Sequence, residues 1–446
     1  MKFMKFGKTA LTAALSSAIV ISLSSCVTSF TSGYLYVTGT VTATPSGNGI
    51  ISGFKINNNN GKLTALHGLP VASGGANPVR AVLISGSRFM YVLNRGVNSS
   101  GGSVCTTSDP CQNSNITEFV VGGNGILTPQ QTFYTQGTNP FRLIADTSGN
   151  YLMALDHDAP SGAYCSAVVA GATHCGDVTV FSINSTTGRL SLVVNTQLSA
   201  QFGTQITYFP VPADPIDFTL ASGYVMTLSG LPGAPSGQTV YPYVYNSSSG
   251  ALSLSQSTPQ IITNGSGNPM GGGTAIVFPT TGGKVYILDT EPITANGTLS
   301  PAQILPFTVG SGGSLQSQVQ GAVPDDPTET NPIYLIVETK GKFVYVANQN
   351  GASSSTGAGI TGYFVDPSSS QLKFDPGSPW GTGAVPACLL EDPSNQFIYT
   401  ANTGDSTITG KLLEPNSGQL DQMNGSSGVF PLTGPATWCI ADGRTN

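Results

Sequence analysis

One short apolar phrase recurs seven times along the 446-residue chain and constrains the fold more than any other feature. Its copies are Tyr34-Leu35-Tyr36-Val37, Phe89-Met90-Tyr91-Val92, Tyr151-Leu152-Met153-Ala154, Tyr224-Val225-Met226-Thr227, Lys284-Val285-Tyr286-Ile287, Phe343-Val344-Tyr345-Val346 and Phe397-Ile398-Tyr399-Thr400. Three residues past each anchor stands a small or polar residue, Gly39, Asn94, Asp156, Ser229, Asp289, Asn348 or Asn402, which reads as the end of a strand and the start of a loop. The anchors are separated by between 54 residues (Tyr345 to Tyr399) and 73 (Met153 to Met226), enough for four short strands with their loops.

Two other phrases keep step with the first. A turn with glycine leads into an outer strand at Gly61-Lys62-Leu63, Gly125-Ile126-Leu127, Gly188-Arg189-Leu190, Gly250-Ala251-Leu252, Gly313-Ser314-Leu315 and Gly418-Gln419-Leu420, with Gln371-Leu372 as the variant. A proline followed by an apolar run starts at Pro78, Pro140, Pro215, Pro269, Pro332, Pro386 and Pro435, and a proline at a strand's first residue costs no ladder hydrogen bond. Four strands in seven units make an all-β fold, a seven-bladed β-propeller with four antiparallel strands per blade over residues 33–446. The chain enters the repeat at a second strand, Tyr34, and leaves it on a lone proline-led strand, Pro435 to Ile440. That last strand is expected to pair into the first blade and close the ring, which removes two open sheet edges. A row of β-sandwich domains would instead restart with full strand sets.

Ahead of the repeats, Lys2, Lys5 and Lys8 precede an uncharged stretch from Thr9 to Ser25, which reads as a signal peptide over residues 1–25. Its end, Leu23-Ser24-Ser25-Cys26, resembles the bacterial lipobox, and this implies lipidation of Cys26, a tether over residues 26–32 and anchoring to a membrane by lipid on the periplasmic side or at the cell surface. An ordinary secretory signal or an uncleaved anchor are the alternatives. Charged residues make up only 9% of the chain and the net charge is −6, without the basic runs that nucleic-acid binding requires, so no nucleic-acid partner is expected.

The repeats resemble those of the seven-bladed β-propeller lactonase family and its YVTN-repeat relatives, through Tyr345-Val346-Ala347-Asn348, Tyr399-Thr400-Ala401-Asn402 and the Gly-x-Leu and Asp392-Pro393-Ser394 turns. The resemblance implies the propeller scaffold and, as an expectation, hydrolysis of a sugar-type lactone. Units three to five depart most: Met153 and Met226 replace the tyrosine, and Pro210, Pro212, Pro232 and Pro242 are expected to crowd loops.

Six cysteines follow Cys26 and fall as Cys105 with Cys111, Cys165 with Cys175, and Cys388 with Cys439, an even number suited to disulfides in an exported protein. The first two pairs would stiffen loops after the second strands of units two and three. Cys388 and Cys439 lie on the inner strands of the last and first blades, where they are either bonded across the closure or, if the strands stand too far apart, both buried thiols. With no Cys-x-x-Cys pair and His174 standing as a lone ligand beside Cys175, no metal site and no cofactor are expected.

In a propeller the proline-led strand is innermost and begins at the channel rim, on the face that carries the loops after the second strands. The residue two past each proline is Arg80, Arg142, Asp217, Gly271, Tyr334, Cys388 or Thr437. Arg80 and Arg142 are candidates for clamping a carboxylate or stabilising an oxyanion, with Asp217 as a water-activating carboxylate or the partner of an arginine. On the same face Asp156-His157-Asp158 flanks an imidazole with two carboxylates, so His157 is a candidate general base, an exposed polar loop or weak cation coordination by the aspartates being the alternatives. No Gly-x-Ser-x-Gly elbow, phosphate loop or dinucleotide fingerprint is present. Two functional expectations follow: a monomeric binding module that presents loops to a small molecule, glycan or envelope protein, and a lactonase-like hydrolase working at the channel mouth.

Overall fold

A computed structural model describes residues 30–41, 48–84, 88–233, 236–255, 258–351 and 357–443. The signal segment and Cys26 lie outside the described residues. The first strand, Thr31–Thr40, begins inside the segment expected to be tether.

Seven antiparallel sheets of four or five strands follow one another along the chain, and a two-stranded hairpin, Ile293–Ala295 with Thr298–Ser300, is inserted in the fifth. Blade 2 shows the plan: inner strand Pro78–Leu83, second strand Phe89–Asn94, third strand Asn115–Val121 and outer strand Leu127–Phe133 pair in that order. Blade 1 takes its inner strand from the other end of the chain, since Ala436–Asp442 pairs with Thr31–Thr40 through Tyr36 opposite Ile440 and Val37 opposite Cys439. The seven inner strands touch in sequence around a closed ring. The expected closure is therefore what the chain does.

Six of the blades differ from a plain four-strand plan in having the outer edge split into two short pieces, as in blade 4, where Thr239–Tyr245 pairs with both Leu252–Leu254 and Gln260–Ile261. Two prolines expected in loops sit in strands. Pro242 lies opposite Met226 and faces the gap between the two outer pieces, where no partner needs an N–H. Pro210 lies in the short strand Phe209–Val211, and its carbonyl accepts the Tyr243 hydroxyl at 2.6 Å.

The tyrosine anchor and the turn glycine, which appear as independent repeats in the sequence, are one device. Tyr36 donates to the Gly125 carbonyl at 2.8 Å, Tyr91 to Gly188, Tyr345 to Gly418 at 2.7 Å and Tyr399 to Gly61 at 2.6 Å. In each case the hydroxyl crosses to the turn of the next blade. The first aromatic of the phrase seals the same contact: Gly188 has φ +74°, and a Cβ there would stand 2.6 Å from Phe89. Glycine is required at that turn both by backbone conformation and by close approach.

Polar residues that read as strand ends are interior posts. Asn94, Asp156, Asn348 and Asn402 are wholly buried. Asn94 donates to Thr117 at 3.1 Å and Asn402 to Thr409 at 3.0 Å, tying second strand to third inside the blade. These bonds satisfy the buried amide donors of Asn94 and Asn402.

All three cysteine pairs are bonded, with Cα separations of 5.2 Å for Cys105–Cys111, 5.5 Å for Cys165–Cys175 and 5.8 Å for Cys388–Cys439. The last resolves the alternative left by the sequence: the closing inner strand and its neighbour are near enough for a bridge.

Candidate functional site at the channel mouth

Every inner strand carries a register irregularity next to its proline position. Pro78 pairs with Asn94 and Arg80 with the adjacent Leu93, so Val79 is bulged, and the same step recurs between Pro215 and Asp217 and between Pro332 and Tyr334. A bulge re-aims the following side chain. In blade 5 the step falls between Gly273 and Ala275, and in blade 1 between Ala436 and Trp438. The in-phase residues there are Ala275 and Trp438 in place of Gly271 and Thr437, because Pro269 and Pro435 do not occupy the proline position of the bulge.

The corrected set converges. The Arg80 guanidinium lies over the Trp438 ring, 3.6 Å from its centroid, and Trp438 meets Tyr334 edge to face at 5.0 Å. Arg142 Nε donates to Asp217 Oδ1 at 3.0 Å, and the Ile276 N–H on the neighbouring inner strand donates to Asp217 Oδ2 at 3.1 Å. Arg142 Nη1 also donates to the Phe141 carbonyl at 3.2 Å. Asp217 thus holds Arg142 in place. Burial, and then the charge of Arg142, push Arg80 down to about 9, which leaves its guanidinium charged at neutral pH. Among the described residues Arg80 has no hydrogen-bond acceptor, and it rests on the aromatic face of Trp438. Its donors are free for a ligand's oxygen.

A second cluster stands on the same face. The second strand of blade 3 runs on to Asp158, so Asp156-His157-Asp158 is strand and not an exposed loop. The two aspartates diverge in role. Asp156 is buried opposite Asp177 and accepts from Thr135 at 2.7 Å; burial pushes both carboxyls upward, helped by the charge of Asp158 at Asp156 and by that of Asp156 at Asp177. Asp158 accepts from Thr107 on Oδ1 and from Asn139 on Oδ2, each at 2.7 Å. Against the cost of burial, His157 and these two donors hold its pKa down at about 2. His157 Nδ1 stands 3.2 Å from Asp158 Oδ2 and its Nε2 stands 3.7 Å from Asp214 Oδ1. Contact with Asp158 raises its pKa against the opposing effect of burial.

His174, read from the sequence as a lone ligand, comes within 3.5 Å of Asp158 Oδ1. The cause is the Cys165–Cys175 bridge with the Ala159 N–H to Cys175 carbonyl bond at 2.9 Å, which fold the loop back on the strand end. The other bridged loop meets the same carboxylate through Thr107, and its Cys111 N–H donates to Asn139 at 2.6 Å. Arg95, also unflagged by the repeat phase, has a buried Nε without a partner and lies 6.0 Å from the Phe141 ring. His67 sits exposed in the turn after Leu63–Ala65. A surface pocket lined by Thr382, Asp405, Thr407 and Lys411 belongs to blades 6 and 7 and shares no residue with either cluster.

Residues 34–206 match the family model described as Lactonase, 7-bladed beta-propeller. Among solved structures, the chain is similar to a putative 6-phosphogluconolactonase from Bacteroides fragilis, at 15% identity and a TM-score of 0.62 over 92% of this chain and 98% of that one. It is similar to a putative 6-phosphogluconolactonase from Bacteroides uniformis at 13% identity and a TM-score of 0.63, covering 92% and 99%. The Pseudomonas aeruginosa periplasmic gluconolactonase PpgL is similar at 16% identity and a TM-score of 0.61, covering 92% and 98%. No curated protein sequence gives a significant match.

Proposed function

We propose that this chain, a lactonase-type seven-bladed β-propeller, is an exported hydrolase that opens a lactone at the mouth of its central channel. The observation that carries the reading is Arg80: a charged guanidinium laid on Trp438, beside Arg142, with no protein acceptor among the described residues. A planar fork of donors over an aromatic wall suits the carbonyl of a flat ring ester, and it gains strength as that oxygen becomes an oxyanion. Water attacks the carbonyl carbon, Asp217 takes its proton, and the ring C–O bond breaks. The alkoxide recovers the proton, leaving a hydroxy acid whose carboxylate faces the arginines. Asp217 retains lone pairs beyond those given to Arg142 and Ile276.

The reading departs from a pure binding module because the family match and the solved neighbours named as lactonases both point to ester chemistry. Three disulfides and a periplasmic neighbour support an oxidising compartment outside the cytoplasm. Lipid anchoring through Cys26 completes the proposal, and radiolabelled palmitate incorporation that is lost in Cys26→Ala tests it. The hydrolase reading is tested by following ring opening of five- and six-membered aldonolactones and simple alkyl lactones by proton release. Turnover above the buffer rate that is lost in Arg80→Ala supports it. No turnover of any lactone leaves the propeller as a binding scaffold and removes the enzyme.

A further inference from the structure

We propose that His157, Asp158 and His174 form a binding site for a divalent transition-metal ion of the zinc class. Their donor atoms all lie within 4.8 Å of one another. Ligands set about 2.1 Å from a tetrahedral zinc ion stand about 3.4 Å apart along each edge. His157 Nδ1 stands 3.2 Å from Asp158 Oδ2 and His174 Nε2 stands 3.5 Å from Asp158 Oδ1, so the two imidazoles approach the carboxylate at separations near that edge, one at each oxygen.

His157 Nδ1 is buried, yet it has no hydrogen-bond partner despite its nearness to the carboxylate. It and His174 Nε2 converge on one carboxylate that is already held by two other donors. Thr107 donates to Asp158 Oδ1 and Asn139 to Oδ2, and Asp214 Oδ1 stands 3.7 Å from the far nitrogen of His157. An imidazole backed by a carboxylate and a carboxylate backed by donors is the outer arrangement that orients ligands around a metal.

Two nitrogens and one carboxylate select for zinc, copper or nickel over calcium or magnesium, which take six or more oxygens. Three protein ligands leave a fourth position for water or a ligand carbonyl. Both small disulfide loops then acquire a purpose: one delivers His174 and the other delivers Thr107 to the same aspartate. The inference does not depend on lactone hydrolysis, since the arginine cluster shares none of these residues.

The chain has three histidines, so the test is well bounded. The protein is purified without a histidine tag, stripped with EDTA, and titrated with Zn²⁺ against a chromogenic chelator. One equivalent should bind with a dissociation constant at or below about 10 µM. His157→Ala and His174→Ala should each weaken binding at least about 100-fold, and Asp214→Asn about tenfold. His67→Ala should leave it unchanged. Zn²⁺ should also raise the melting temperature of the parent but not of His174→Ala, whose side chain is 44% exposed and whose loss the fold tolerates. Absence of binding below about 0.1 mM, or binding undiminished in folded His174→Ala, overturns the proposal.

Discussion

The Tyr399 hydroxyl donates to the carbonyl of Gly61, 2.6 Å away and 338 residues earlier in the chain. It is the same bond that Tyr345 makes to Gly418 between adjacent blades, turned by the ring into a contact between the two ends of the sequence. Tyr399 and Gly61 are both buried, so the bond is sealed from water.

Removing that hydroxyl leaves the Gly61 carbonyl without its partner inside the closure. Tyr399→Phe should lower unfolding stability by about 1–2 kcal/mol. Urea unfolding followed by tyrosine and tryptophan fluorescence measures it. A midpoint equal to the parent's would mean that the latch carries no net stability.

The closure has a second fastening in Cys388–Cys439, which spans 51 residues and is buried at both ends. In the chain-entropy model a loop of that length is worth about 4 kcal/mol, against about 2 kcal/mol for the short Cys105–Cys111 loop. The double variant Cys388→Ala with Cys439→Ala should therefore lose more stability than Cys105→Ala with Cys111→Ala. Differential scanning calorimetry under non-reducing conditions ranks them, and the reverse order would show that strain or residual structure outweighs loop entropy.

At the channel, Arg80→Ala should reduce kcat/KM for the best lactone by at least about 100-fold, the scale of losing an oxyanion donor. Arg80→Lys should recover little, because an ammonium lacks the planar fork and stacks less well on Trp438. Trp438→Phe should raise KM more than it lowers kcat. Equal activity of the lysine and arginine forms would reduce Arg80 to a point charge.

The repeat made the scaffold readable because each blade buries the same pattern, so periodic residues report on the fold seven times over. What escaped it is aperiodic. Where the proline is not in its usual place the bulge displaces the phase, by one residue in blade 1 and by four in blade 5, and this is why Thr437 stood for Trp438 and Gly271 for Ala275. The approach of His174 to Asp158 depends on a disulfide loop folding back, and no local period encodes it. Asn94 and Asn402 were visible as a motif but not as interior posts, because polar residues after a strand ordinarily announce a loop.

Glu329 opens the inner strand of blade 6 and is 3% exposed, close to Asp325 and Asp326. Burial, and then the two neighbouring carboxylates, push its pKa up to about 8, and its Oε2 has no hydrogen-bond partner. Because the folded value lies above the ordinary one, the contribution of this group to stability is fully present in acid. It is lost as pH rises through about 8, where the folded state must ionise a buried carboxyl that the unfolded chain ionised long before. Glu329→Gln keeps the shape and abolishes the titration. The parent's urea midpoint should therefore fall between pH 6 and pH 9 by more than that of Glu329→Gln. Parallel curves for the two proteins over that interval would show that Glu329 is already ionised in the folded propeller, its charge met by groups other than Asp325 and Asp326.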